Sequence, residues 1–255
     1  LQDTAASGYQ DSVDLINEWH GKGRLGYAVT PRFSGTSSVE QLTLAGQLLK
    51  EFPDVWMQTH MSENLEEIRW LKTVHPHTAD YLDSYEQYGL NTERSIFGHC
   101  IHLSDDEIQR LAGNGGRVAF CPTSNLFLGS GLMPLEKLKE AGVPVSIATD
   151  VGGGTSLSML TTLGEAYKVC QMQGYSLHPL EAFYMMTLGN AKATHLDHCI
   201  GNFERGKEAD IVVLDNKPTP LMARRITQCR ELDEELFVYM TVSYTHLTLP
   251  TSVIV

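Results

Sequence analysis

No two of the five cysteines (Cys100, Cys121, Cys170, Cys199 and Cys229) stand as Cys-x-x-Cys, so disulfides and thiolate zinc sites are both disfavoured. An odd, scattered set in a chain of 255 residues is expected to stay reduced, which points to a cytoplasmic protein. No stretch approaches the roughly 18 consecutive apolar residues of a helical membrane span, and a membrane is not an expected partner. Basic residues are scarce: 19 Lys+Arg stand against 31 Asp+Glu, a formal net charge of −12. With no Lys/Arg run to relieve it locally, that balance repels phosphate backbones, so nucleic-acid polymers are not expected partners, while a small neutral substrate stays open. A Gly-x-Ser-x-Gly elbow is absent, and Gly152-Gly153-Gly154 runs into Thr155 without the Lys of a phosphate loop. Serine-hydrolase and nucleoside-triphosphate chemistry therefore both lack their motifs. The opening, Leu1-Gln2-Asp3, has no initiator Met, no basic n-region and no apolar h-region, and is expected to lie inside a longer protein.

Hydrophobic residues make up 42% and charged residues 20% of the chain, ordinary usage for a folded protein and far from the profile of disorder. Short β-rich runs alternate with amphipathic helical stretches, the pattern of a parallel sheet with crossover helices. Strands are expected at 26–30, 55–60, 95–99, 117–121 and 143–149, each followed by a loop and then a helix, which gives five βα units. Between the first two, Leu42, Ala45, Leu48, Leu49 and Phe52 form one apolar helical stripe, with Ser38 as N-cap and Pro53-Asp54 as the stop. Longer helices are expected over 156–173 and 179–188. Residues 200–202 and 209–214 read as short strands of a separate small sheet.

In a barrel the carboxyl ends of the strands converge on one face and supply the chemistry. Arg32 follows the first strand, His60 ends the second with Glu63 three residues on, His99 ends the third, Cys121 closes the fourth and Asp150 follows the fifth. Two imidazoles and a carboxylate from separate strands suit a divalent metal. Taken singly, each has an ordinary explanation: His60 and His99 as core or cap residues, Asp150 as a turn residue before three glycines. Together they are harder to explain that way, because His and Asp are costly to bury unpaired and all occupy the same end of a strand. Glu63 fits a first-turn acid behind a Ser62 N-cap, and equally a proton shuttle into the pocket of His60. His75 and His77, flanking Pro76, read as surface residues, Tyr184, Met185 and Met186 as helix core, and Glu231 to Glu235 as a solvated helix face.

As words, Thr30-Pro31-Arg32-Phe33-Ser34, Gln58-Thr59-His60-Met61-Ser62-Glu63-Asn64, Gly98-His99-Cys100, Cys121-Pro122-Thr123-Ser124-Asn125 and Thr149-Asp150-Val151-Gly152-Gly153 resemble the guanine deaminases of the amidohydrolase superfamily. The resemblance runs from about Tyr27 to Thr241. It implies an α/β fold, a (β/α)8 TIM-type metal-dependent hydrolase barrel represented by about its last five βα units, plus part of a small β domain. The expected organisation is a partial barrel over 1–199, part of the small composite β domain and a C-terminal helix over 200–241, and an atypical tail over 242–255 that reads as foreign sequence. The first strand of the family carries a His-x-His pair that has no counterpart before Tyr27. The resemblance further implies hydrolysis of guanine to xanthine and ammonia, with one zinc per subunit or iron(II) in its place. His60 and Asp150 would be metal ligands, His99 and Asp150 would help deprotonate the attacking water, and Glu63 would carry protons to the purine ring. Arg32 would bind the guanine carbonyl oxygen and Phe33 would pack beside the ring, with His60, Glu63 and Asp150 also lining the substrate. A homodimer is implied for the full-length protein. Two alternatives stand beside this reading: a deaminase or dechlorinase of another purine, pyrimidine or triazine ring, and a truncated, non-catalytic remnant.

Overall fold

Residues 3–242 are described by the computed structural model. Within them the β-rich runs become five strands, β1 (Ala28–Val29), β2 (Trp56–Met61), β3 (Ser95–His99), β4 (Arg117–Phe120) and β5 (Val145–Ile147), in the sheet order β1-β2-β3-β4-β5. The third has the expected bounds, and the others are trimmed or shifted at their ends. Pairing is parallel: Ala28 lies opposite Trp56, Met57 to Met61 opposite Ser95 to His99, and Ile96 opposite Arg117.

A parallel ladder needs a crossover between its strands, and helices provide them. After α1 (Ala5–Trp19) and β1, α2 (Val39–Glu51) leads to β2 and α3 (Leu65–Val74) with α4 (Asp83–Glu86) to β3. Then α5 (Asp105–Gly113) leads to β4, and α6 (Pro122–Phe127) with α7 (Leu135–Glu140) to β5. Beyond the sheet come α8 (Met159–Met172), α9 (Pro179–Tyr184), α10 (Asn190–Ala193), α11 (Pro220–Ile226) and α12 (Leu232–Val242). The expected cap of α2 is present, with Ser38 Oγ accepting from Gln41 N–H. A tighter device starts α5: Ser104 and Glu107 form a capping box, satisfying donors that an N-terminus otherwise leaves open.

The chain divides into two compact units, one of residues up to Phe120 with Lys137–Val145, the other of Cys121–Glu136 with the residues from Ser146 onward. In the first unit the core is built from strand and helix together: Met57, Phe97 and Val118 from β2, β3 and β4, and Leu42 and Leu48 from α2, are all essentially excluded from solvent. Each such side chain stabilises the fold by roughly 1.5–3 kcal/mol relative to exposure. In the second unit Leu160, Met222, Ile226, Val238 and Tyr239 gather α8, α11 and α12 around one cluster.

The helix expected over 179–188 forms as α9 and then widens into a π-helical turn, Met185–Gly189, before α10. Asn190, just after that turn, donates to Ile147 O at 3.0 Å and accepts from Ile147 N–H at 2.9 Å, doing for β5 what a neighbouring strand would. Met185 is buried as expected, whereas Tyr184 is exposed. The short strands expected at 200–202 and 209–214 do not form. A strand exists only by pairing, and among the described residues this stretch enters no ladder, leaving Val212 and Val213 exposed. The tail expected to be atypical lies outside the described residues from 243 on.

Candidate active site

Backbone conformation marks the strand ends before any side chain is considered. Among the described residues the non-glycine positions with positive φ are Ser62 (50°), His99 (72°), Cys100 (52°), Asp150 (46°) and His195 (55°). Four of these stand where β2, β3 and β5 give way to loops. A left-handed conformation costs an L-residue energy and persists where surrounding structure imposes it, which is common at functional sites. The surroundings here are visible: past the end of the ladder, Cys100 N–H donates to Met61 O at 2.9 Å and Ile101 N–H to Ser62 O at 3.1 Å.

In the first unit these ends bring together Arg32, Phe33, His60, Glu63 and His99. Arg32 O accepts from His60 N–H at 3.2 Å and lies 2.6 Å from His60 Nδ1. A carbonyl can only accept, so Nδ1 carries a proton, and in the neutral ring the lone pair is then on Nε2, the state a metal ligand requires. His60 stacks on His99, with ring centroids 5.5 Å apart. The His99 ring is buried, and its Nε2 lies 3.7 Å from Glu63 Oε2. Phe33 packs on Trp70 at a centroid distance of 5.9 Å. That contact depends on Gly35, where a Cβ would fall 2.5 Å from the Trp70 ring and 2.9 Å from the Phe33 ring.

The N-cap of α3 is Asn64, whose side chain accepts from Glu67 N–H, and not Ser62. Asn64 offers its carbonyl at the position where the chain is extended, while Ser62 is held in the left-handed region by the β2–β3 junction. Glu63 therefore precedes the helix and is not a first-turn acid. His75 is likewise not a surface residue: it is 3% exposed, with Nε2 2.8 Å from Ser34 O, while His77 is exposed as expected.

The second unit carries Cys121 and Asp150. Cys121 is buried at the start of α6. The loop after β5 turns back on itself, with Gly154 N–H donating to Asp150 O at 2.6 Å and Thr123 Oγ1 to Thr149 O at 3.0 Å. A Cβ on Gly154 would fall 2.0 Å from Thr149 O. The glycines that follow Asp150 thus serve this tight turn.

Parallel βα units with polar residues at the strand ends define a class of enzyme scaffold, and residues 8–247 match the Amidohydrolase family. The chain belongs to that family. The guanine deaminase of Escherichia coli (strain K12) is 51% identical over 242 residues, which is 95% of this chain and 55% of that protein. The solved E. coli guanine deaminase superposes with a TM-score of 0.92 over 94% of this chain and 57% of that one. A guanine deaminase from C. acetobutylicum, solved with bound guanine in its active site, gives a TM-score of 0.84 at 28% identity, covering 95% of this chain and 57% of that one. The chain spans about half the length of the curated relatives it matches.

Proposed function

We propose that the gene product hydrolyses guanine to xanthine and ammonia. The observation that carries this is the fixed tautomer of His60, whose Nε2 lone pair is presented beside a buried His99 that faces the Glu63 carboxylate. A relative of known structure holding guanine, at 28% identity, supports the choice of ring.

His60 and Asp150 are the residues that would hold the divalent cation, one zinc per subunit or iron(II) in its place; an imidazole nitrogen and a carboxylate oxygen are donors zinc accepts. A cation held there would supply a water of lowered pKa, towards about 7. The rest of the reaction belongs to the protein. Arg32 donates to the guanine carbonyl oxygen and Phe33 covers the ring, fixing the amino-bearing carbon for attack. His99 and Asp150 take the proton of the attacking water, and Glu63 delivers a proton to the ring nitrogen, so that negative charge does not accumulate on the purine. Collapse then expels the amino group as ammonia, which takes up the proton held by His99 and Asp150, while the proton of the added hydroxyl returns to Glu63 and leaves the new carbonyl of xanthine. The same reading takes a free purine base as ligand, a homodimer as the assembled form, and the cytoplasm as compartment, to which five free cysteines are suited.

The test is turnover of guanine, adenine, cytosine and a triazine by the gene product expressed from its native reading frame. Xanthine and ammonia from guanine, abolished by chelation and restored by zinc, is the expected result. Preference for any other ring overturns the proposal.

A further inference from the structure

The segment that leaves β1 is tied down on both sides of Phe33. On one side Arg32 O is held by His60, as above, with Thr59 Oγ1 also 3.2 Å away. On the other side Ser34 N–H donates to the Tyr85 hydroxyl at 2.9 Å, and Ser34 O lies 2.8 Å from His75 Nε2. Tyr85 joins the two sides, because the same hydroxyl donates to His60 O at 2.7 Å and lies 3.1 Å from Thr59 Oγ1. Its single proton must go to the His60 carbonyl, which can only accept, so its lone pairs face Ser34 N–H and the Thr59 hydroxyl, whose one proton is shared between Tyr85 and Arg32 O. The side chain is wholly excluded from solvent. Its ring packs against Phe97 and Tyr81, with centroids at 5.5 and 6.1 Å, contacts that a phenyl ring would keep. The hydroxyl alone is thus spent on the backbone that bears Arg32, Phe33 and His60.

We propose that Tyr85 is a positioning residue whose hydroxyl holds the Arg32-Phe33-Ser34 segment in register with His60, so that the groups binding the purine and the group binding the metal keep one spacing. The proposal rests on the guanine-hydrolysing reading above. Misplacement of bound groups by about 1 Å can cost about 100-fold in rate, and a buried hydroxyl with three polar partners is a device of that precision.

The experiment is Tyr85→Phe in the gene product, read as the zinc dissociation constant and as KM and kcat for guanine. The expected result is a rise of about tenfold in the guanine KM, a smaller fall in kcat and weaker zinc binding. A residue that only stabilises the fold would lower the thermal midpoint and leave KM and zinc affinity of the folded protein unchanged, and that result overturns the proposal. Wild-type protein that does not turn over guanine overturns the functional reading instead, and the zinc constants of the two proteins then decide the positioning role alone. Should Tyr85→Phe not fold, Thr59→Val takes its place: a smaller rise in KM and in the zinc constant supports the proposal, and unchanged values overturn it.

Discussion

Glu63 shows how far a single residue can be read. Its three-residue distance from His60 suggested either a helix-start acid or a proton carrier, and the extended Asn64 cap settles the structural half by placing α3 after it. The carboxylate then stands 3.7 Å from His99 Nε2 with an exposure of 18%, mostly withdrawn from water. Glu63→Gln keeps the size and the acceptor oxygen and removes the transferable proton. Turnover of guanine should fall by about 100-fold or more, with KM and zinc content little changed, since positioned proton transfer is worth about 10²–10⁴. Steady-state kinetics beside metal analysis checks this, and a variant with wild-type kcat would remove Glu63 from the proton path. The strand-end places of His60, His99, Arg32 and Asp150 were legible from the β-rich runs that precede them. Tyr85, Ser34 and His75 were not, because a buried hydroxyl or imidazole bonded to distant backbone has no spacing in the sequence to betray it.

At the scale of elements, the five strands were legible from alternating and β-branched runs, and α2 from its apolar stripe and Ser38. The π-helical turn after α9 was not, since nothing in Met185-Met186-Thr187-Leu188-Gly189 distinguishes it from ordinary helix. In the structure the widened turn directly precedes Asn190, which bonds both backbone groups of Ile147. Widened turns of this kind are rare and frequently serve a local purpose. Asn190→Ala strands a buried N–H and C=O at β5, and should destabilise the protein by about 1–3 kcal/mol. Urea unfolding measures it. Asn190→Asp, which keeps the acceptor for Ile147 N–H and loses the donor, should fall between the two, and an alanine variant as stable as wild type would show that water replaces the side chain. The strands expected at 200–202 and 209–214 failed for the complementary reason: their pattern was right for pairing, but pairing requires a neighbour that a local pattern does not specify.

For the molecule as a whole, family and fold class followed from strand-end words spread over the chain, whereas the division into two compact units left no composition shift or linker to read. Burial also sets how the folded chain meets alkali. Tyr85 is pushed up to about 12 by its burial, offset in part by the bonds from Thr59 and Ser34, and Tyr81 beside it is raised by burial and by the charge of its neighbours. In the unfolded chain both titrate near 10. Below about 10 both states hold the phenolic protons, and the stability these groups lend is complete. Between 10 and 12 the folded state keeps protons that the unfolded state has lost, so stability declines by about 1.4 kcal/mol per pH unit for each tyrosine. Alkaline unfolding should therefore be cooperative, with part of the tyrosinate absorbance of the ten tyrosines appearing only as the far-ultraviolet dichroism is lost. Tyr85→Phe should remove one phenol from that late step and make stability above pH 10 less steep. Complete tyrosine ionisation with the dichroism intact would mean that the phenols of Tyr81 and Tyr85 are open to solvent, and with them the anchor beneath Arg32 and Phe33.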